Sequence, residues 1–535
     1  MTKFYKFFMI LAVILVSGLT LSAQDVRIVK VDGWDPASGE NVEDYNNVLY
    51  DAIEADTTER KTNPNVIFEL TPGHQYPQGA IIRNYDYHLH IRAGEGDGLQ
   101  PELIPGKRAD GSYGSDYINA YNDLTLENIT FNGYRPDGAY LNRMVEARGN
   151  NMRYIVKGCL FDGDRGAGIV VRADSMKVYV EDVIVGNTGH RKSVGGNGRI
   201  LDMRPEALWL DTLIIKNSTV NNASDRIIRN MGTEVGYLEI DHLTSLNTVG
   251  YHGGIQLGYV HTAKVTNSLF ANTISIGHVD SRTNEQTQPV KHFAVITLDT
   301  VFDDQVIEIR NNNIYWDQEI KDVWAKYDSV EAPWPISPSI ETALGDADAI
   351  EQAWFNEPVV MEQTCGPISA YVDAYFADPT ASSLPENWCV GGEGGYFLDE
   401  SDLSYSSDYV SYTASDLGYP VGNLNYFPDL KAMWEEGVNL TSVEPGDMVV
   451  KQSLKNYPNP FSSTTTIAYE LENSSFVSLE VFDLTGRKIK TLVNEFKPSG
   501  QHEISFNASD LPSGMYFYKL DNGSETKVNN MIIAR

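Results

Sequence analysis

Three cysteines in 535 residues are too few for a disulfide-built scaffold, and the chain has no CxxC, HExxH or GxSxG to support a zinc, redox or serine-hydrolase reading. Cations are short as well: 41 Lys and Arg against 73 Asp and Glu leave a formal charge of -32, which argues against nucleic acid as a partner. After the first two dozen residues no apolar run is long enough to span a bilayer, so no membrane span is expected in the mature chain. Those first residues set Lys3 and Lys6 before an apolar run from Phe7 to Val16 and end in small residues near Ala23, the pattern of a secretory signal peptide over 1–23. Of the cysteines, Cys365 and Cys389 could close a loop in an oxidising compartment, while Cys159 falls inside a strand pattern and is expected to be a buried small hydrophobe.

What the chain does have is a ten-residue pattern that recurs between 124 and 316. Its copies are LTLENITFNG at 124, YIVKGCLFDG at 154, VYVEDVIVGN at 178, LIIKNSTVNN at 213, LEIDHLTSLN at 238, AKVTNSLFAN at 263 and IEIRNNNIYW at 307. Two alternating apolar positions precede a polar fifth residue, usually Asn or Asp, then another apolar pair and an Asn or Gly. Alternation of period two predicts strands, and self-similarity at this spacing predicts a solenoid. A second short apolar run lies between copies: RMVEAR, IVVR, RILDMR, RIIR, IQLG and AVITL. Short strands bent by Asn and Gly predict a right-handed parallel β-helix, with Asn128, Asp182, Asn217, Asn267 and Asn311 stacked at one corner in left-handed backbone geometry. A β-sandwich has no reason to repeat an Asn corner in register.

Strand patterns at 63 and 87 open the coil, and NVEDYNNVLYDAIEAD at 41 has the spacing of a short amphipathic helix covering its end. On these residues and the repeats, 24–316 resembles the pectate-lyase-like family of secreted bacterial β-helix proteins. Residues 317–445 lose the repeat and turn acidic and aromatic, with short helices expected at DVWAKY and AIEQAWF and a Gly-Asn-Leu-Asn-Tyr run at 422. Similar segments in that family pack along the side of the coil. Residues 451–535 show about seven short strands with turn signals, which suits a small β-sandwich. Asn456 to Phe461, the Asp483-Leu-Thr-Gly486 turn and Leu511-Pro-Ser-Gly-Met-Tyr516 resemble the type A C-terminal sorting domain of the type IX secretion system of Bacteroidota. That resemblance implies export, to be secreted or attached at the cell surface, and the secretion machinery as partner.

Charge points to one face. From 138 to 300 the chain has 17 Lys and Arg against 16 Asp and Glu, a balance of +1, whereas 301 to 450 has 4 against 28, a balance of -24. Aligned on their apolar positions, the second strands set Glu146, Arg172, Asp202, Arg229, Gln256 and Thr297 in one column. Arg148, Asp174, Arg204, Met231, Gly258 and Asp299 form another, and Arg143, Ile169, Arg199, Arg226 and Gly253 a third. Loops at 187–198 and 273–293, bearing His278, Arg282, Lys291 and His292, could wall a groove beside them.

Alternating charges on stacked strands make a structural ion ladder. An Arg-rich groove on an acidic chain is also what gripping a sugar acid requires, because guanidinium binds carboxylate with two hydrogen bonds. The first expectation is therefore a polysaccharide lyase acting on an acidic, uronate-containing polysaccharide. Arg172, Arg229 and Arg204 would clamp the carboxylate and His252 or Lys192 would be the base, with Arg143, Arg199, Arg226, Glu146, Asp202 and Gln256 binding substrate. The family resemblance adds calcium as a cofactor some members use, although neither the paired-Glu calcium site nor the Lys and Arg motif of alginate and chondroitin lyases is present. An inverting glycoside hydrolase using Glu146 and Asp202, or Asp174 and Asp202, and a non-catalytic glycan-binding surface protein are the alternatives.

Overall fold

The fifth residue of each repeat follows the end of one strand and precedes the next, and the apolar run between repeats adds another, so the chain makes three short strands per turn. The computed structural model describes residues 26–60, 64–96, 98–189, 198–205, 207–250, 252–279, 293–327, 330–364, 368–377, 401–442 and most of 454–533. The chain divides into two compact units, 1–438 and 439–535.

In the first unit three all-parallel sheets of ten, ten and nine strands stack as a parallel β-helix. The first half of each repeat supplies the first sheet, as in Arg153–Lys157, Met176–Glu181 and Trp209–Lys216. The second half supplies the second sheet, as in Leu160–Asp162, Ile184–Thr188 and Thr219–Ala223. The apolar runs between repeats form the third: Arg143–Ala147, Ala167–Val171, Leu201–Met203, Ile228–Asn230, Ile255–Gln256 and Ala294–Thr297. The stack runs past 316, because Trp334–Ile336 pairs onto the third sheet and Trp354–Phe355 onto the second. Helices at Gln318–Ala325 and Ala347–Ala353 lie where the apolar spacing predicts them. At the other end the helix Val48–Ala55 buries Leu49 and Ile53 against the first coil.

Two rows of left-handed residues make the bends. Asn128, Asp182, Asn217, Asn267 and Asn311 all have φ between 43° and 57°, with Gly158 and His242 completing that corner. The tenth position forms a second corner, where Asn187, Asn222, Asn247 and Asn272 also have positive φ. Here Asn222 donates to Asn187 Oδ1 at 3.2 Å and Asn272 to Asn247 Oδ1 at 3.2 Å, so each amide is satisfied by the next rung. Inside, apolar residues stack in register, Phe131 on Phe161 at 4.8 Å for example, and Cys159 is buried with its thiol pushed up to about 12 by that burial. Cys365 and Cys389 lie outside the described residues.

The acidic aromatic segment docks along the second sheet. Asn423 donates to Thr219 Oγ1 at 2.9 Å and its N–H to Thr244 Oγ1 at 2.8 Å, while Leu424 N–H reaches Asn217 Oδ1 at 3.3 Å. Lys431 pairs with Asp182 at 2.8 Å and Asn311 donates to Asp416 at 2.6 Å. Gly422 lets the backbone lie flat here: its φ is 94°, and a Cβ would fall 2.6 Å from Thr244 Oγ1. Trp324 is buried and donates to Ser275 O at 2.8 Å, so it packs the segment onto the coil.

The second unit is a β-sandwich of seven antiparallel strands in sheets of three and four. Ile467, Leu479, Val481, Tyr518 and Met531 fill its core.

Candidate functional site

The third sheet carries the charged columns, in a register that corrects the alignment above. Glu146 pairs with Val170, not with Arg172, and Val170 with Asp202. The strand at this rung begins at Ala167, two residues before the apolar run that set the alignment, and its outward central position is an uncharged Val. The central column is therefore Arg83, Asn119, Glu146, Val170, Asp202 and Arg229. Arg172 slides two positions along, into line with Arg148 and Arg204, and that column is positive on three successive rungs instead of alternating. Asp174 leaves the column altogether; its Oδ1 accepts the N–H groups of Leu208 and Trp209 at 2.6 and 3.1 Å. In the third column Ala167, not Ile169, stands opposite Arg143.

The columns close into a network. Glu146 is wholly buried and receives Arg143 at 2.8 Å, Arg172 Nε at 3.1 Å and Arg148 Nε at 2.7 Å. Asp202 is held bidentately by Arg229, both contacts at 2.7 Å, with Arg199 at 3.1 Å and Arg204 at 3.3 Å. Asp225 takes Arg199 at 2.8 Å, Arg226 Nε at 2.9 Å and His252 Nδ1 at 3.2 Å. Asp116 lies 3.9 Å from Arg143. Gln256 lies on the same sheet, its Oε1 accepting the Asn230 N–H at 3.2 Å. All the expected site residues except Lys192, which lies outside the described residues, thus meet on one sheet. The loops expected to wall a groove, 187–198 and 273–293, fall largely outside them too.

Depth separates the arginines. Arg199 keeps 1 % of its side chain in solvent, Arg172 and Arg229 14 %, and Arg143, Arg204 and Arg148 25, 27 and 35 %. The side chains best able to meet a ligand therefore include Arg148, which the expected clamps omit. Asp116 and Asp225 were also missed; both follow a serine immediately ahead of a third-sheet strand, a recurrence visible in the sequence.

Burial raises the Asp202 and Asp225 carboxyls, but their cationic neighbours outweigh it. For Asp202 these are the Arg229 hydrogen bonds with the charges of Arg199, Arg229 and Arg204, and for Asp225 the Arg226 charge, the His252 hydrogen bond and Arg199; both end below the usual carboxylate range. Asp164 behaves oppositely. It is fully buried, and desolvation holds it well above that range despite the Arg199 charge and the Gly166 N–H. The folded chain then keeps a proton that the unfolded chain releases above about pH 4, so this group weakens the fold as pH rises. Asp164→Asn is expected to stabilise the unit near neutral pH and to change nothing at about pH 3, measured by urea denaturation at both.

Among the described residues no group of three or more His, Cys, Asp or Glu could hold a metal ion. Nor is any described helix long and apolar enough to cross a membrane. Two cavities of about 770 and 460 Å³ lie over the second sheet and its corner with the first, away from the arginine columns.

No curated protein matches the chain. Residues 455–534 match the secretion system C-terminal sorting domain, which is the seven-stranded unit described above. The chain is accordingly cargo of type IX secretion, exported to be released or held at the cell surface.

Proposed function

We propose that the third sheet binds an acidic polysaccharide and that the protein cleaves it by β-elimination. The observation that carries this reading is the clustering of cations on one face: Arg143, Arg148, Arg172, Arg199, Arg204, Arg226 and Arg229 gather around Glu146, Asp202, Asp225 and Asp116, in a chain of net charge -32. Burial of Glu146, Asp202 and Asp225 keeps that field directed at the sheet surface, where Arg148, Arg172 and Arg204 sit one rung, ~4.8 Å, apart. A uronate carboxylate held there has its charge neutralised, which acidifies the C5 proton. His252, its Nδ1 fixed by Asp225, takes that proton through the other ring nitrogen. The C5–H electrons form the C4–C5 double bond, the C4–O bond breaks, and the departing oxygen is protonated by water. The resemblance of 24–316 to pectate-lyase-like proteins supports the same reaction class.

Hydrolysis fits the site less well. An inverting enzyme needs one protonated carboxyl, whereas Asp202 is held ionised and Glu146 lies beneath three guanidinium groups. The mature protein incubated with polygalacturonate, alginate and chondroitin should release an unsaturated product that absorbs in the ultraviolet. New reducing ends without that absorbance would overturn elimination in favour of hydrolysis, and retention on the polymer with no cleavage would leave a binding protein.

A further inference from the structure

The larger cavity has a chemistry unlike that of the arginine face. Its floor is a stacked column of second-sheet residues, Glu102, Thr130, Leu160 and Ile184, with Asn132 opposite Asp162 alongside. Two distant pieces of chain bound it. The Gly98–Gln100 loop forms one side, pinned where Gln100 donates to Gly158 O at 2.8 Å. The docked segment closes the far end with Asn425 and Lys431, both anchored on Asp182. Between them Thr130, Leu160 and Ile184 line the cleft, Thr130 and Ile184 half-buried and Leu160 9 % exposed. Tyr134 stands at the side, its hydroxyl donating to Asp162 Oδ1 at 3.2 Å. Its ring is seated against Gly163, where φ is 77° and a Cβ would come within 2.4 Å of the ring.

Charge disfavours an anion, because Glu102, Asp162 and Asp182 line the cleft. The lysines on the wall are already engaged, Lys431 with Asp182 at 2.8 Å and Lys157 with Glu181 at 3.3 Å. What remains is an aliphatic floor beside hydrogen-bond acceptors. Asn132 Oδ1 accepts the Tyr134 N–H at 2.9 Å, and the Glu102 carboxylate accepts Gln75 at 2.6 Å and Asn132 at 2.7 Å, which leaves lone pairs on both residues for hydroxyl donors. A sugar ring presents that pattern, with a C–H face to lie on Leu160 and Ile184 and an edge of hydroxyls. The volume of about 770 Å³ falls within the ~300–1,000 Å³ of ligand sites.

We infer that this cleft binds a short stretch of neutral glycan, separately from the third sheet and independently of the elimination reading. It would hold an uncharged polysaccharide to the exported protein while the arginine face meets acidic chains.

The full mature protein is titrated calorimetrically with neutral tetrasaccharides of glucose, xylose and mannose, and with tetragalacturonate. At least one neutral tetrasaccharide should bind, and its affinity should fall tenfold or more in Asn132→Ala and in Leu160→Trp, which fills the floor without removing a polar group. Arg148→Ala should leave it unchanged. Thermal midpoints of all three variants verify folding. Binding of tetragalacturonate alone, binding of no neutral sugar, or an affinity indifferent to a folded Leu160→Trp protein would each overturn the inference, and none of these bears on elimination at the third sheet.

Discussion

Asp202→Ala is expected to lower the stability of the β-helical unit by about 3–5 kcal/mol, read from its denaturant transition in the full-length chain. The magnitude comes from what is left behind. Asp202 satisfies Arg229 twice and also Arg199 and Arg204, and Arg199 is almost wholly buried. Removing the carboxylate takes from Arg229 and Arg204 the counter-charge they share and from Arg199 one of its carboxylate partners, and Arg199 cannot swing into water. Breaking an exposed pair such as Lys157 with Glu181, whose side chains are 49 and 40 % in solvent, should cost about 0–1 kcal/mol. The effect carries a pH signature. The folded value of Asp202 is depressed, so its contribution is complete above about pH 4, the unfolded carboxyl's range, and fades as pH falls toward the lower folded value. The gap between wild type and variant should narrow below that point. A loss under about 1 kcal/mol at neutral pH would mean that the arginines are solvated and that the network is not a network.

His252→Gln is expected to reduce kcat on the cleaved polymer by about 10²–10⁴-fold with little change in KM or thermal midpoint. Glutamine can still donate a hydrogen bond to Asp225, the contact His252 makes at 3.2 Å, so the carboxylate keeps its partner and the sheet its packing. It has no basic nitrogen to accept the C5 proton. Arg148→Ala should do the reverse, raising KM first, because a clamp that grips the uronate in the ground state contributes to binding. A His252→Gln enzyme within threefold of wild type would remove His252 from the reaction and leave the base to be sought elsewhere.

The coil was legible because its bends have chemistry of their own. Asn at the fifth position announces a left-handed corner, and all five residues named from the sequence take that geometry. The tenth position was equally regular, yet its meaning emerged only when Asn187, Asn222, Asn247 and Asn272 proved to bend the chain a second time. Register on the third sheet was harder. In Ala167–Val171 small and apolar residues face both ways, so alternation gives no parity and the strand can be slid by two positions without penalty on paper. That slip moved Arg172 and suggested an alternation of sign that does not exist. Asp225 escaped notice because it precedes its strand rather than lying in it. The cleft on the second sheet could not be read at all, since its walls come from residues 98–100 and 425–431, which only the wound chain brings together.

A stack in which each turn touches only the turns beside it draws its cooperativity from those neighbours alone; it can melt from either end one layer at a time. The segment that reaches back to Asp182, Thr219, Thr244, Asn267 and Asn311 changes that, because it fastens five turns with contacts that close only when all five are wound. Detached, those turns should unzip gradually; fastened, they should melt as a block. Contacts bridging more than 200 positions carry a large loop-closure cost until the turns between them are wound, so the tie is expected to close after the coil has formed.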